Sequence, residues 1–295
     1  MGLVSMSKRP RGFIDHWSPP EHIRDLIENV QQVIRDYSDI APLSLRQIFY
    51  ILVSDYGYEK TEPAYKRMYE NLNKARRAHM VSMDDIRDDG LARNDPHHFS
   101  GEEGFVSSIK YWASELRLDR QQGQDWRVFV WCEAQGMFPQ LSGYCEGYGV
   151  SVLSSGGFDS VTTKHAIAKE FSDLSGAAIL HIGDHDPSGV HMHNNLDEDI
   201  GAFVDYYGGN VEVIRLAVTP DQVEQYGLAT APPKASDRRA FDGYETTQAE
   251  AIPPRTLRRI VTAEIERWLD MELVEDIKAE ELEIRASLTT RLARV

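Results

Sequence analysis

The stretch Ala177-Ala-Ile-Leu-His-Ile-Gly-Asp-His-Asp-Pro-Ser-Gly189 constrains the fold more than any other part of the chain. Ala177 to Ile182 is a short apolar run of the kind that fills a strand buried on both faces of a parallel sheet. Gly183 ends it, and Pro187 and Gly189 turn the chain into the next element. Asp184 and Asp186 lie two residues apart, so extended backbone projects both carboxylates to one side. Two convergent carboxylates repel each other unless a cation sits between them, and hard oxygen ligands favour Mg²⁺, with Mn²⁺ as the alternative. The competing reading of the same residues is a polar strand-to-helix turn with no ligand.

The surrounding pattern supplies the rest of such a sheet. Val128-Phe-Val-Trp-Cys132, Val150-Ser-Val-Leu153, Ala178 to Ile182 and Val211 to Leu216 read as four strands. A helix from about Ser160 to Phe171 and another after Ser188-Gly189 alternate with them, which predicts an α/β domain with a parallel sheet. In such sheets ligands bind at the carboxyl ends of the strands. Glu133 follows the first strand as Asp184 and Asp186 follow the third, so three carboxylates are expected on one rim. Ser155-Gly-Gly157 reads equally as a phosphate cradle and as a tight turn. No G-x-x-x-x-G-K-[ST] is present, so ATP chemistry is not expected of this chain. His191 and His193 face apart on a helix and His181 falls on the sheet, which argues against a histidine metal centre.

Before residue 126 the chain reads as helical. Ile23, Leu26, Ile27, Val30, Val33 and Ile34 recur at helical spacing across residues 20–37. Ser44 is a plausible N-cap for Leu45-Arg-Gln-Ile-Phe-Tyr-Ile-Leu-Val53, Gly57 breaks that helix, and Thr61 caps a third. The third helix carries Lys66, Arg67, Lys74, Arg76 and Arg77, a layout that fits DNA contact by a helix-turn-helix or winged-helix module. A solvated basic face on a small bundle is the alternative. Residues 80–104, with Asp88-Asp-Gly90 and Asn94-Asp-Pro96 as turn signals, read as a wing plus linker. His97-His98 reads as surface decoration. A connecting helix is expected over 105–118, with Val106, Ile109, Trp112 and Leu116 on one side. The expected divisions are 1–100, 101–125, 126–220 and 221–295. In the last, loops marked by Ala231-Pro-Pro-Lys234, Asp237-Arg-Arg239 and Tyr244 precede two helices. Those carry Leu257, Ile260, Ile265, Trp268, Leu269 and Leu273, and the acidic tail helix is expected to be a solvated cover or dimer element.

Charge narrows the class of partner. The net charge of -15 disfavours indiscriminate binding of nucleic acid over the whole surface. Residues 1–100 hold 14 Lys/Arg against 15 Asp/Glu, while the remaining 195 hold 18 against 32. Polyanion contact is therefore expected on the N-terminal third. No apolar run approaches the roughly 18 residues that span a bilayer. No apolar segment follows the basic arm Lys8-Arg9-Pro10-Arg11, so no signal peptide is expected. With only Cys132 and Cys145 there is no disulfide framework, and the expected location is the cytoplasm, near the nucleoid.

Glu133-Ala-Gln-Gly-Met-Phe together with Gly183-Asp-His-Asp-Pro-Ser-Gly189 resembles the Toprim domain of the topoisomerase VI A subunit and its meiotic double-strand-break relatives. Leu45-Arg-Gln-Ile-Phe-Tyr50 is similar to the arginine-to-tyrosine motif of that family's winged-helix domain, and Glu250-Ala-Ile-Pro-Pro254 resembles its C-terminal Glu-x-Ala-Leu segment. Gln47 stands where the family usually has an acidic residue, His185 is bulkier than the usual middle residue of Asp-x-Asp, and the length resembles compact, stand-alone versions. The resemblance covers residues 40–265 and implies a winged-helix domain followed by a Toprim domain with C-terminal helices. It implies Mg²⁺ held by Glu133, Asp184 and Asp186, and Tyr50 as the nucleophile that forms a 5′-phosphotyrosyl link to DNA. It further implies a homodimer in which Tyr50 of one protomer meets the metal site of the other, and a separate ATPase subunit for any strand passage.

On the residues alone, Arg46 and Tyr50 lie four apart on one helical face, where a guanidinium would favour a phenolate of ordinary pKa about 10. Glu133 is a candidate metal ligand or general acid–base. Two other classes remain open: a Toprim hydrolase that cuts with water, leaving Tyr50 to pack, and a non-catalytic DNA-binding protein.

Overall fold

The computed structural model describes residues 13–14, 16–40, 42–87, 98–154, 161–233, 239, 241, 243 and 245–293. The basic arm 8–11, the turns at 88–90 and 94–96, His97, Ser155-Gly-Gly157, Lys234, Asp237, Arg238 and Tyr244 lie outside them.

The N-terminal helices form where caps and apolar spacing place them. Helix α1 (Glu21–Asp36) buries Leu26, Ile27, Val30 and Val33 along one stripe. Strand β1 (Leu43–Ser44) leads into α2 (Leu45–Tyr56), where the Ser44 hydroxyl accepts from the Gln47 N–H and the Gln47 side chain accepts from the Ser44 N–H. That reciprocal capping box satisfies two backbone donors which the first turn leaves free. Gly57 ends α2 at φ 65°. Thr61 caps α3 (Glu62–Arg77), and β2 (Ile86–Arg87) pairs parallel with β1. Ile27, Val30, Ile48, Leu52, Met68 and Leu72 are at the centre of the shared core.

Helix α4 (Glu102–Ser114) departs from expectation. It starts earlier and ends sooner than 105–118, and Ala113 is its one buried residue. Trp112 and Tyr111 are more than half exposed. The reason is its neighbour, the strongly charged helix α10, which offers little apolar surface to cover α4.

The sheet follows the sequence closely. Strands β3 (Arg127–Cys132), β4 (Ser151–Ser154), β5 (Ala177–Ile182) and β6 (Val211–Ala217) pair all-parallel in the order β4-β3-β5-β6. Alternation sends Val128, Val130 and Cys132 to one face and Phe129 and Trp131 to the other. The first face packs with α5 (Phe138–Cys145) and α9 (Pro254–Trp268) through Leu141, Leu257, Val261 and Ile265. The second packs with α6 (Val161–Ser172) and α7 (Pro187–Tyr206) through Phe171, Leu196, Ile200 and Val204. Both central strands are covered on both sides, which is why they read as apolar runs.

A short helix α8 (Pro220–Gln225) and the long α10 (Met271–Leu292) complete the described elements. Helix α10 is not only a solvated cover. Its Glu281 is 3% exposed and accepts from the Leu118 N–H at 2.9 Å and from Arg120 at 3.3 Å, with Arg285 bonded to the same carboxylate. Cys132 and Cys145 are buried free thiols. No described helix is long and apolar enough to cross a membrane.

Candidate active site at the carboxyl end of the sheet

The acidic residues gather where strands β3 and β5 end. A Cβ on Gly183 would meet the Glu133 carboxylate, so the end of β5 passes directly beneath that side chain and a larger residue there would have to push the carboxylate aside. A Cβ on Gly189 would collide with the Asp184 carbonyl, which lets the first turn of α7 close back on the strand end. Asp186 is the N-cap of α7, accepting from the Gly189 N–H at 2.7 Å. Asp184 accepts from the Ala249 N–H at 2.9 Å. Glu133 lies 3.2 Å from Nε2 of His181, which is 1% exposed on β5.

The electrostatics follow from this crowding. Burial raises the Asp184 carboxyl to about 6; the Ala249 N–H and Arg46 oppose that rise, while Asp186 and Glu133 add to it. Burial holds His181 down to about 3, so it faces Glu133 as a neutral imidazole. Three carboxylates in one another's field are a donor set suited to a hard divalent cation. They do not yet form a cage. Asp184 and Asp186 are turned to backbone donors, and among the described residues no three His, Cys, Asp or Glu side chains stand in a metal-ligand arrangement. Among the described residues the histidines form no centre of their own. His193 stacks near His181 at 4.9 Å between ring centroids, and His191 is bonded to Asn195.

The tyrosine helix sits against this rim in the same chain. The segment 246–251 runs between them. Thr247 pairs with His185 through both backbone bonds, at 2.8 and 2.9 Å. Gln248 accepts from the Tyr50 hydroxyl, and Ala249 caps Asp184. Glu250, 8% exposed, lies 3.6 Å from Arg46, and Ala251 packs on the N-terminal core. Gln47 is bonded to Gln140 of α5, and Lys60 lies 5.6 Å from the centre of the Tyr50 ring while donating to the Ala229 carbonyl.

Tyr50 is 7% exposed. Burial raises its hydroxyl pKa above the ordinary value; Arg46 lowers it, as the helical spacing predicts, but Glu250 and Asp184 reinforce the rise. In this conformation Tyr50 is a protonated, hydrogen-bonded phenol.

The basic face of α3 divides. Lys66 and Lys74 are exposed, and Arg67 is exposed but bridges Glu59 at 3.1 Å. Arg76 donates to the carbonyls of Met83 and Ile86, and Arg77 to Asn73, so these two brace the local fold.

Sequence reasoning missed Gln248, Thr247 and Arg215. Arg215 on β6 lies beside His181 in the sheet and donates to the carbonyls of Gly183, Asp184 and Gly189. Its signal was legible, a cation within the otherwise apolar Val213-Ile-Arg-Leu-Ala217. Gln248 had no such signal.

No protein-family model matches the chain, and no curated protein matches it by sequence.

Proposed function

We propose that this chain is a divalent-metal-dependent DNA-cleaving transesterase, built as a winged-helix module on a Toprim sheet domain like the topoisomerase VI A subunits it resembles. The observation that carries this reading is the run Gln248-Ala-Glu250, which touches Tyr50, Asp184 and Arg46 with three successive residues. A nucleophile, its cation and an acidic rim thus share one wall.

A divalent ion held by Glu133, Asp184 and Asp186 would neutralise charge on the scissile phosphate. The chain's own residues do the remainder. Lys66, Arg67 and Lys74 offer exposed cations to the DNA backbone. The Tyr50 hydroxyl gives its proton to water as its oxygen forms the bond to phosphorus, the bond from phosphorus to the 3′ oxygen breaks, and the leaving oxygen takes up a proton. Where Asp184 and Asp186 alone hold the ion, Glu133 would instead supply that proton and take it back on religation. Attack requires Tyr50 to leave Gln248, so α2 must lift from the 246–251 segment when DNA binds. A homodimer would cut both strands, and duplex passage would need a separate ATPase chain.

The burial of Tyr50 favours a second reading, a hydrolase that cuts with water while Tyr50 packs. The deciding experiment is incubation of the chain with supercoiled DNA and Mg²⁺ or Mn²⁺, followed by denaturation and a search for protein-linked 5′ ends. The transesterase reading expects an adduct that Tyr50→Phe abolishes. Cleavage by Tyr50→Phe with free 5′ ends would establish the hydrolase. DNA binding that survives Asp184→Asn with Asp186→Asn, with no cutting by any form, would leave a binding protein.

A further inference from the structure

We propose that Arg215 is the positioning residue of the acidic rim: it ties the end of β5 to the first turn of α7 and so keeps Asp184 and Asp186 on one rim, from which a divalent cation would draw both carboxylates off their backbone donors; this rests on the metal-dependent reading above. The two aspartates belong to different elements, the end of β5 and the cap of α7, and nothing in their own side-chain bonding joins those elements. Arg215 does. Its Nη1 donates to the Gly189 carbonyl at 2.9 Å, and its Nη2 donates to the carbonyls of Gly183 at 3.1 Å and Asp184 at 2.5 Å. A planar guanidinium with five fixed donors can hold three carbonyls that converge from two directions, which a lysine ammonium on a flexible stem cannot reproduce.

The same cation sits within the field of Glu133, Asp184 and Asp186, all three of which act on it. Geometry and charge therefore act in opposite senses on a bound metal. The fork arranges the ligands, whereas its positive charge repels an incoming cation. That opposition makes the two roles separable by substitution. Arg215→Lys keeps the charge and removes the fork, and Arg215→Met removes both.

The test is Mn²⁺ binding to the full chain without DNA, read from the electron paramagnetic resonance of free Mn²⁺, with folding followed by circular dichroism. The wild-type chain should bind Mn²⁺. Arg215→Lys should fold yet bind at least tenfold more weakly, and Arg215→Met should also bind more weakly than wild type. Glu281→Gln, which loosens the chain far from the rim, should leave Mn²⁺ binding unchanged. If wild type binds and Arg215→Lys binds equally well, or Arg215→Met binds more tightly, Arg215 acts through charge or not at all and the inference fails alone. If Glu281→Gln weakens binding as much as Arg215→Lys, or neither Arg215 variant folds, the role is general stability. If wild type itself takes up no Mn²⁺, the metal-dependent reading fails and this inference with it.

Discussion

Gln47 offers the sharpest quantitative test of how the tyrosine helix is held. Its side chain is 3% exposed and makes two bonds, accepting from the Ser44 N–H at 2.9 Å and donating to Gln140 Oε1 across to α5. Gln47→Ala removes the first bond, worth about 1 kcal/mol net, and leaves the Gln140 acceptor buried without a donor, at about 1–3 kcal/mol. The expected loss is about 3 kcal/mol. Gln47→Glu should behave differently. A glutamate still completes the capping box and sits favourably in the first helical turn, a benefit of about 0.3–1 kcal/mol. It cannot donate to Gln140, but the Gln140 Nε2 has no hydrogen-bond partner among the described residues. A flip of that amide turns the nitrogen toward the new carboxylate and restores a charge-assisted bond. Desolvation of the carboxylate at this 3% exposed position offsets part of that gain, so the expected loss is about 1–2 kcal/mol, below that of Gln47→Ala. Urea unfolding of the three chains measures this, as shifts in midpoint at an unchanged slope. A glutamate variant as unstable as the alanine variant would refute the amide flip, and an alanine variant within about 0.5 kcal/mol of wild type would refute the whole account of this contact.

Three further outcomes follow from the site. The Tyr50 hydroxyl bonds Gln248, the residue before the one that caps Asp184, all in one chain; a centre kept within that chain expects mixed Tyr50→Phe and Asp184→Asn to restore no cleavage beyond the two alone, and restored adduct would establish a centre shared between protomers. Gln248→Ala removes the acceptor that holds the Tyr50 hydroxyl, and a bond worth about 1 kcal/mol corresponds to roughly fivefold more adduct at fixed time; an unchanged or lower yield counts against the latch. His193 is held down to about 4 from an ordinary 6.5, by burial first and then by the neighbouring His181 and Arg215. A depressed base binds its proton more readily when unfolded, so stability present above about pH 6.5 is lost as pH falls toward 4. His193→Gln should flatten that part of a melting-temperature profile, and parallel profiles would show that His193 does not titrate there.

The sheet was legible because both central strands are covered on two faces, which forces β3 and β5 to be apolar end to end and leaves their terminal carboxylates conspicuous. The caps at Ser44 and Thr61 were legible because capping is a contact over three residues. The stripe on α4 misled for the opposite reason. Val106, Ile109 and Trp112 have helical spacing, yet periodicity shows only which residues share a face, not how far another element covers it: Val106 and Ile109 are half-buried and Trp112 is exposed. The acid of α10 looked solvated for the same lack of a partner in sequence, since Leu118 and Arg120 lie more than 160 residues away. Tyr50 and Gln248 are 198 residues apart, and no spacing rule connects a phenol to an amide at that range.

That long-range contact also sets an energetic condition on the chemistry. Lifting α2 from the rim breaks the bonds Tyr50–Gln248, Gln47–Gln140 and Lys60–Ala229 and the Arg46–Glu250 pair. At about 1 kcal/mol net for each hydrogen bond and less for the half-exposed ion pair, opening costs roughly 3–4 kcal/mol. A cost of that size leaves the open form near one molecule in several hundred. On the proposed reading DNA would supply the difference, through the exposed Lys66, Arg67 and Lys74 and through a phosphate taking the place of Glu250 beside Arg46. A tyrosine that is inert until a phosphodiester arrives avoids reaction elsewhere, so its burial is consistent with a nucleophile released by its own substrate. The same energetics explain why the acidic rim is needed on the covering side. Asp184 holds Ala249 in place, so a cation that draws Asp184 away also loosens the residue next to Gln248. On the proposed reading, metal binding and release of the phenol would be coupled through the peptide unit between Gln248 and Ala249.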